Sequence, residues 1–318
     1  MEQSGIPPVE RDIVFICGAL RSGTTLLRLM VDGHPDVDNP GEMDFLFEPP
    51  LARDGSPDMN AYRVELSLNR VFVSRQMKFR DSLGYADQVR DFIGQLRRPG
   101  KRLTINVHRH FDRIPEIFPD ARYVHLVRDP RDAAKSAIAM GWAGNVFHGV
   151  DHWINSEKDF ERLAAKTPAD RIFRLKNEDL IRDPRRWLTR LCDFLGVSYD
   201  DEMLNYPVRS TYGPPDIRLI EQWRRDLTPR EVELIEIKAR GLMVERGYEP
   251  STEASRPPKG LELAAIRLGN SWGRFRFAAN RHGLAITLLE MIAVRAPAPA
   301  LKYFVRRRKF ERARLHVK

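Results

Sequence analysis

The run Asp12–Gly23, DIVFICGALRSG, with the Thr24-Thr25-Leu26-Leu27 that follows it, constrains this chain more than any other stretch. Asp12 to Cys17 is short, apolar and rich in Ile, Val and Phe, the pattern of a fully buried strand. Gly18 to Gly23 is a glycine-bracketed loop, and Leu26, Leu27, Leu29, Met30 and Val31 beyond it read as a helix packed on a sheet. Strand, Gly-rich loop and helix N-terminus together cradle an anion, because backbone N–H groups and the helix dipole both favour a phosphate there. The spacing is close to the nucleotide-triphosphate loop G-x-x-x-x-G-K-[ST]. Gly18, Gly23 and Thr25 fit that pattern, but Thr24 stands in the lysine position, so the group that reaches the β- and γ-phosphates is missing. Arg21 is the one cation inside the loop. A phosphate-bearing donor is expected, with a kinase or nucleotide hydrolase as the competing class.

At Arg21-Ser22-Gly23-Thr24-Thr25-Leu26-Leu27 the chain resembles the sulfotransferases that use 3′-phosphoadenosine-5′-phosphosulfate (PAPS), in motif style the bacterial and tyrosylprotein-type members. A second family element, an Arg at a strand end with a Ser eight residues on, matches Arg128 and Ser136 in VHLVRDPRDAAKS. The resemblance covers about residues 10 to 250. It implies that backbone N–H groups of Ser22, Gly23, Thr24 and Thr25 hold the 5′-phosphosulfate, that Arg21 offsets charge near the bridging oxygen, and that Arg128 and Ser136 hold the 3′-phosphate. PAPS is then a co-substrate and no metal is required, since protein charges neutralise the leaving group.

The same resemblance singles out Glu42. It follows Gly41 and matches the Gly-Glu of the tyrosylprotein-type enzymes, where the glutamate is the base. The chemistry needs such a group, because an acceptor hydroxyl must lose its proton as sulfur is attacked. On position alone Glu42 reads as a solvated loop carboxylate; Asp44 and Glu48 are weaker candidates, and His34 before Pro35 reads as a turn residue. Where the family carries a lysine two residues before a proline, this chain has Asn106 and His108. Either Arg21 with His108 or Arg109 takes over charge neutralisation, or turnover is weak, with Asn106 a neutral donor to a sulfuryl oxygen.

Further strands are expected at Arg102–Val107, Ala121–Val127 and Arg171–Leu175, with Arg128 at a carboxyl end where open parallel sheets bind ligands. Helices are expected from Pro130, over 151–166, from Pro184 to Leu195, and from the Thr228-Pro229-Arg230-Glu231 capping box to about Arg246. The fold class is α/β: a P-loop-like, mostly parallel sheet flanked by helices over residues 1–250, then a linker and a basic α-helical C-terminal extension over 251–318. Arg131 and Lys135 are candidate helpers at the donor. Trp142 and Trp153 are candidate acceptor walls or core residues, and the Pro/Gly-rich loop Ser210–Asp216 is a candidate cover. Residues 45–100 correspond to the variable acceptor region, whose Arg63, Arg70, Arg75, Lys78 and Arg80 read best as a solvated helical face.

The net charge of +9 is unevenly placed: Arg256 to Lys318 holds 15 Lys or Arg against 3 Asp or Glu, so the rest is slightly acidic. The basic, aromatic end Tyr303-Phe304-Val305-Arg306-Arg307-Arg308-Lys309-Phe310 suits an anionic membrane surface, with a solvated tail or a packed helix as the alternatives. No recognised nucleic-acid module accompanies it. Cys17 and Cys192 lie in apolar stretches as small hydrophobes, and no Cys/His set has zinc spacing. The N-terminal MEQSGIPPVERD is polar and no apolar run reaches about 18 residues. The animal relatives of the Golgi carry a membrane anchor before the loop, so the expectation here is a cytoplasmic, bacterial enzyme, peripheral at the inner membrane face if the tail engages lipid. The expected activity is sulfuryl transfer from PAPS to a hydroxyl, less readily an amine, of a carbohydrate, lipid-linked or other small-molecule acceptor. Protein tyrosine is the alternative acceptor, a non-catalytic donor-binding protein is a third class, and a homo-oligomer is open.

Overall fold

The computed structural model describes residues 13–252, 256–295, 301 and 304–309. Its core is a five-stranded sheet of β1 (Ile13–Cys17), β2 (Val37–Asp38), β3 (Arg102–Val107), β4 (Arg122–Val127) and β5 (Ile172–Lys176), in the order β2-β3-β1-β4-β5. Every pairing is parallel. All five residues of β1 are buried, the continuous apolar run expected of a strand covered on both faces. Phe15 lies on one face against Phe47, Phe118 and Tyr123. Val14 and Ile16 lie on the other face, with Leu27, Met30 and Val31 of helix α1 (Thr24–Val31).

Strand β1 is the point where the sheet order reverses, with β3 on one side and β4 on the other, so the crevice outside its carboxyl end is the expected ligand position. Helix α2 (Pro130–Ala139) follows β4, capped by the Asp129 side chain, which accepts from the Arg131 amide. Helix α3 (Val146–Ala164) starts five residues before the sequence reading places it, because Asn145 accepts from the His148 amide and caps it there. The helix Pro184–Leu195 has the bounds expected and stops at Gly196 in the left-handed region, φ 75°. Helix α4 (Pro229–Glu245) opens on the reciprocal Thr228–Glu231 capping box. Helices α5 (Gly260–His282) and α6 (Leu284–Arg295) form the C-terminal extension. Tyr303 and Phe310 of the basic aromatic stretch lie outside the described residues.

Two candidate helpers prove to be framework. Arg131 is buried, donates to Asp129 and Glu236 and lies over the Trp223 ring, tying α2 to α4. Trp153 is buried and donates its indole N–H to the Arg128 carbonyl at 2.9 Å, so it supports the donor side from behind rather than walling an acceptor. Arg63 and Arg80 pair with Asp81 and Asp91 on the surface, but the five cations do not share a helical face: Arg63 and Arg70 lie on helices, while Arg75, Lys78 and Arg80 lie in the irregular chain between helices. Phe15→Ala should destabilise the fold by about 3–5 kcal/mol through lost burial and the cavity left among three rings, read from the shift of the urea unfolding midpoint.

Candidate active site

The loop from β1 to α1 presents backbone rather than side chains to the crevice. Gly23 caps α1 with φ 89°, and no side chain caps the helix, so its first-turn N–H groups are left for a ligand. A Cβ on Gly23 would lie 1.9 Å from Asn177 Oδ1, at the start of the helix Asn177–Arg182 that follows β5. Glycine is therefore required twice over, by its backbone angle and by its neighbour. Arg21 also sits at positive φ, 72°, which turns its side chain away from the loop floor. Its Nε donates to Ser136 Oγ at 2.7 Å, joining the two sequence motifs across 115 residues.

A cavity of about 700 Å³ opens at this point. Arg21, Gly23, Thr24, Thr25, Glu42, Arg128 and Ser136 all line it, so seven of the eight candidate site residues share one pocket. Ser22 is buried beneath the loop, and its hydroxyl has no hydrogen-bond partner among the described residues. Arg128 is held by the carbonyls of Arg21, at 3.2 Å, and Leu219, at 3.0 Å, while its buried Nε has no partner among the described residues. Asp132 stands 3.6 Å from the Arg128 guanidinium. Burial outweighs that cation and pushes its carboxyl up to about 6. Lys135 lines the same wall and pairs with Asp226. The loop Tyr212–Asp216 and Trp142 close the pocket's sides.

The opposite end is a carboxylate–imidazole array. Glu42 follows Gly41 and bridges to Asn106 as a short parallel extension of the sheet beyond β2. Its Oε1 lies 4.0 Å from His108 Nε2, which also meets Thr24 Oγ1 at 3.1 Å. The other ring nitrogen, Nδ1, meets Asp44 Oδ2 at 2.9 Å, and the His108 amide donates to Asp44 Oδ1 at 2.6 Å. Burial alone would depress His108, but the hydrogen bond and charge of Asp44, with Glu42, carry its pKa above the ordinary value. Asp44 is pulled the other way: burial would raise it, and His108 brings it below the usual carboxylate range.

These contacts sort the candidates for the missing lysine. Asn106 does not face the pocket: it is fully buried and donates to the Thr24 carbonyl at 3.0 Å, so it does not serve as the expected sulfuryl donor. Arg109 turns out to Glu48, leaving His108 as the basic side chain beside Glu42. His34 is a turn residue as expected, its Nδ1 accepting from the Asp36 amide. Sequence reasoning missed the Asp44–His108 pair, Asp132 and Asn177; the one signal for the first was a carboxylate two residues after Glu42.

The family model described as the Sulfotransferase family matches residues 13–201. The chain belongs to the sulfotransferase family. It is 24% identical over 209 residues to the protein-tyrosine sulfotransferase of Drosophila melanogaster, spanning 62% of this chain and 40% of that protein. It is 26% identical over 292 residues to nodulation protein NoeE of Sinorhizobium fredii, spanning 77% of this chain and 68% of that protein. The chain spans about half the length of the curated relatives it matches first. Among solved structures, the sulfotransferase domain of the Synechococcus PCC 7002 olefin synthase aligns with a TM-score of 0.55 at 25% identity, covering 75% of this chain and 98% of that one. The sulfotransferase domain from the curacin biosynthetic pathway aligns at a TM-score of 0.58 and 20% identity, over 74% and 98% of the two chains.

Gly23→Ala should weaken binding of 3′,5′-phosphoadenosine by about tenfold or more, since a non-glycine residue in the left-handed region costs roughly 1–2 kcal/mol before any overlap. Adding Asn177→Ala removes the overlap but not the backbone cost, so calorimetry on the double variant should recover only part of the affinity. Asp44→Asn should lower the His108 pKa from its raised position, because the carboxylate that favours the imidazolium is gone. The ring-proton titration, assigned by comparison with His108→Asn, checks this.

Proposed function

We propose that this chain transfers a sulfuryl group from PAPS to an acceptor hydroxyl. The observation that carries the reading is the polarity of one pocket. Arg21, Arg128 and Ser136 gather at one wall beside the open N-terminus of α1, and Glu42 with His108 stands at the other end. Guanidinium forks and a hydroxyl suit a 3′-phosphate, and the free first-turn N–H groups suit a 5′-phosphosulfate. The partnerless Nε of Arg128 among the described residues fits a wall that expects an anion.

Bound PAPS supplies an activated sulfuryl group whose S–O bond to phosphate breaks in line with attack. Glu42 takes the proton of the acceptor hydroxyl as that oxygen bonds to sulfur, and 3′,5′-phosphoadenosine leaves. Arg21 and His108, whose pKa Asp44 holds above the ordinary value, offset the charge that builds on the leaving side, the role the family lysine plays elsewhere. Thr24 Oγ1, engaged by His108, leaves no ammonium to reach a γ-phosphate, which disfavours the kinase reading. The acceptor is a carbohydrate, lipid-linked or other small-molecule hydroxyl; a tyrosyl protein is the second reading, favoured by the Gly41-Glu42 step and the protein-tyrosine sulfotransferases among the relatives.

Metal-free calorimetry should give tight binding of 3′,5′-phosphoadenosine, weak binding of 5′-AMP and ATP, and loss of that preference in Arg128→Ala. Equal affinity for all three nucleotides would sink the reading. With a responsive acceptor from a radiolabelled-PAPS screen, Glu42→Gln should lower turnover by roughly 10²–10⁴-fold with donor affinity kept.

A further inference from the structure

Helix α5 is bonded to the pocket by one stripe and exposes an apolar stripe on the other side. The docked stripe is Ile266, Asn270, Gly273 and Phe277, spaced four, three and four apart along one helix face. It meets the loop that bears Trp142: the Gly144 amide donates to Asn270 Oδ1 and Asn145 Nδ2 donates to the Ile266 carbonyl, both at 2.7 Å. The approach is backbone to backbone, since a Cβ on Gly144 would lie 2.2 Å from the Asn270 carbonyl and one on Gly273 would lie 2.7 Å from the Gly144 Cα. A Cβ on Gly141 would strike the Phe277 ring. These glycines seat α5 rigidly at the pocket mouth.

On the opposite face stand Leu261, Leu268 and Trp272, which are 90%, 72% and 63% exposed. Phe275 stacks on Trp272 and widens the stripe. Helix α6 also leaves apolar residues exposed, among them Leu284, Leu288 and Ile292. No residue of α5 is buried, so this is a helix with one face docked and one large apolar face unpartnered. Exposed Arg267, Arg274 and Arg276 flank the stripe. Among the described residues no helix is long and apolar enough to cross a membrane.

We infer that the α5–α6 face is an interfacial docking surface for an anionic lipid bilayer, holding the pocket loop about one helix diameter, ~10 Å, from the headgroups. Two observations choose lipid over other occupants. The segment from Arg256 on carries 15 Lys or Arg against 3 Asp or Glu, which complements an anionic surface. A second copy apposing the same face would bring that like charge together. Trp272 amid leucines, with arginines at the margins, is the composition of a helix lying in an interface plane rather than in a protein core. The inference does not rest on the transferase reading.

The test is co-sedimentation of the full chain with phosphatidylglycerol–phosphatidylcholine vesicles and with phosphatidylcholine vesicles alone. Binding is expected with the anionic vesicles, weakened by salt, and about tenfold or more weaker in Leu268→Glu/Trp272→Glu. Leu261→Glu, at the exposed first turn, should weaken it in the same direction, and an unchanged far-UV circular dichroism spectrum and urea unfolding midpoint certify the fold of each variant. Arg274→Glu/Arg276→Glu should remove the preference for anionic lipid. No sedimentation with either vesicle, or binding indifferent to these substitutions, overturns the inference. A dimer by light scattering that the Leu268/Trp272 variant dissociates also overturns it, by giving the face to a second copy.

Discussion

Asn106 lies fully buried on β3, and its amide ties the two halves of the site together. The side-chain nitrogen donates to the Thr24 carbonyl at 3.0 Å, which fixes the first turn of α1 to the central sheet. The side-chain oxygen accepts from Asn39 Nδ2 at 3.0 Å, and Asn39 in turn holds Gly41 through its own side-chain oxygen. The Asn106 backbone completes the clamp: its N–H donates to the Gly41 carbonyl at 3.1 Å and its carbonyl accepts from Met43 at 2.9 Å. One residue thus sets the distance from the anion-binding loop to Glu42. A buried amide left without such partners would cost about 1–3 kcal/mol, so the arrangement is all-or-none. The asparagine in the family's lysine position is therefore a framework residue, and the side chain that stands beside Glu42 is that of His108, two residues on and just past the end of β3.

That shift has an electrostatic logic. A lysine delivers a compact cation on a flexible stem. Burial alone would lower the pKa of an imidazole at this depth, and the hydrogen bond and charge of Asp44 raise it instead. The imidazole is then positioned by a hydrogen bond rather than by reach, and it stands beside the Glu42 carboxylate. Opposite charges at 4.0 Å in a partly enclosed pocket hold each other in place.

The large features were legible because they are local. A buried strand followed by a glycine loop, Arg128 at a strand end with Ser136 two turns on, and the Thr228–Glu231 box are patterns within ten residues of chain. β2 was missed because two residues carry no periodicity. Asp44 with His108, and Gly23 with Asn177, escaped for another reason: each pair is made by tertiary packing across more than sixty residues, and neither partner is unusual for its own segment. Arg131 erred in the opposite direction, and Trp153 took the core alternative of its two readings. Both stand where the chain passes the pocket, but the twist of α2 and α3 turns their side chains into the framework behind it.

The cationic wall is weaker than a count of its residues suggests. Lys135 is paired with Asp226, and Arg128 faces Asp132, whose second oxygen has no hydrogen-bond partner among the described residues. A carboxyl raised to about 6 is still largely ionised at neutral pH, so it offsets much of the Arg128 charge before any anion arrives. What Asp132 contributes instead is orientation. Its other oxygen accepts from the Trp223 amide at 2.8 Å, and with the Arg21 and Leu219 carbonyls it holds the Arg128 fork in a fixed plane. Arg128 is thus fixed more by geometry than by net charge. The net attraction falls to Arg21, whose recorded side-chain partner is the neutral hydroxyl of Ser136 and which can turn to an incoming anion without breaking an ion pair. An arginine held at positive φ by its loop and tethered to a serine on another helix thus joins the two sequence motifs at one wall of the pocket.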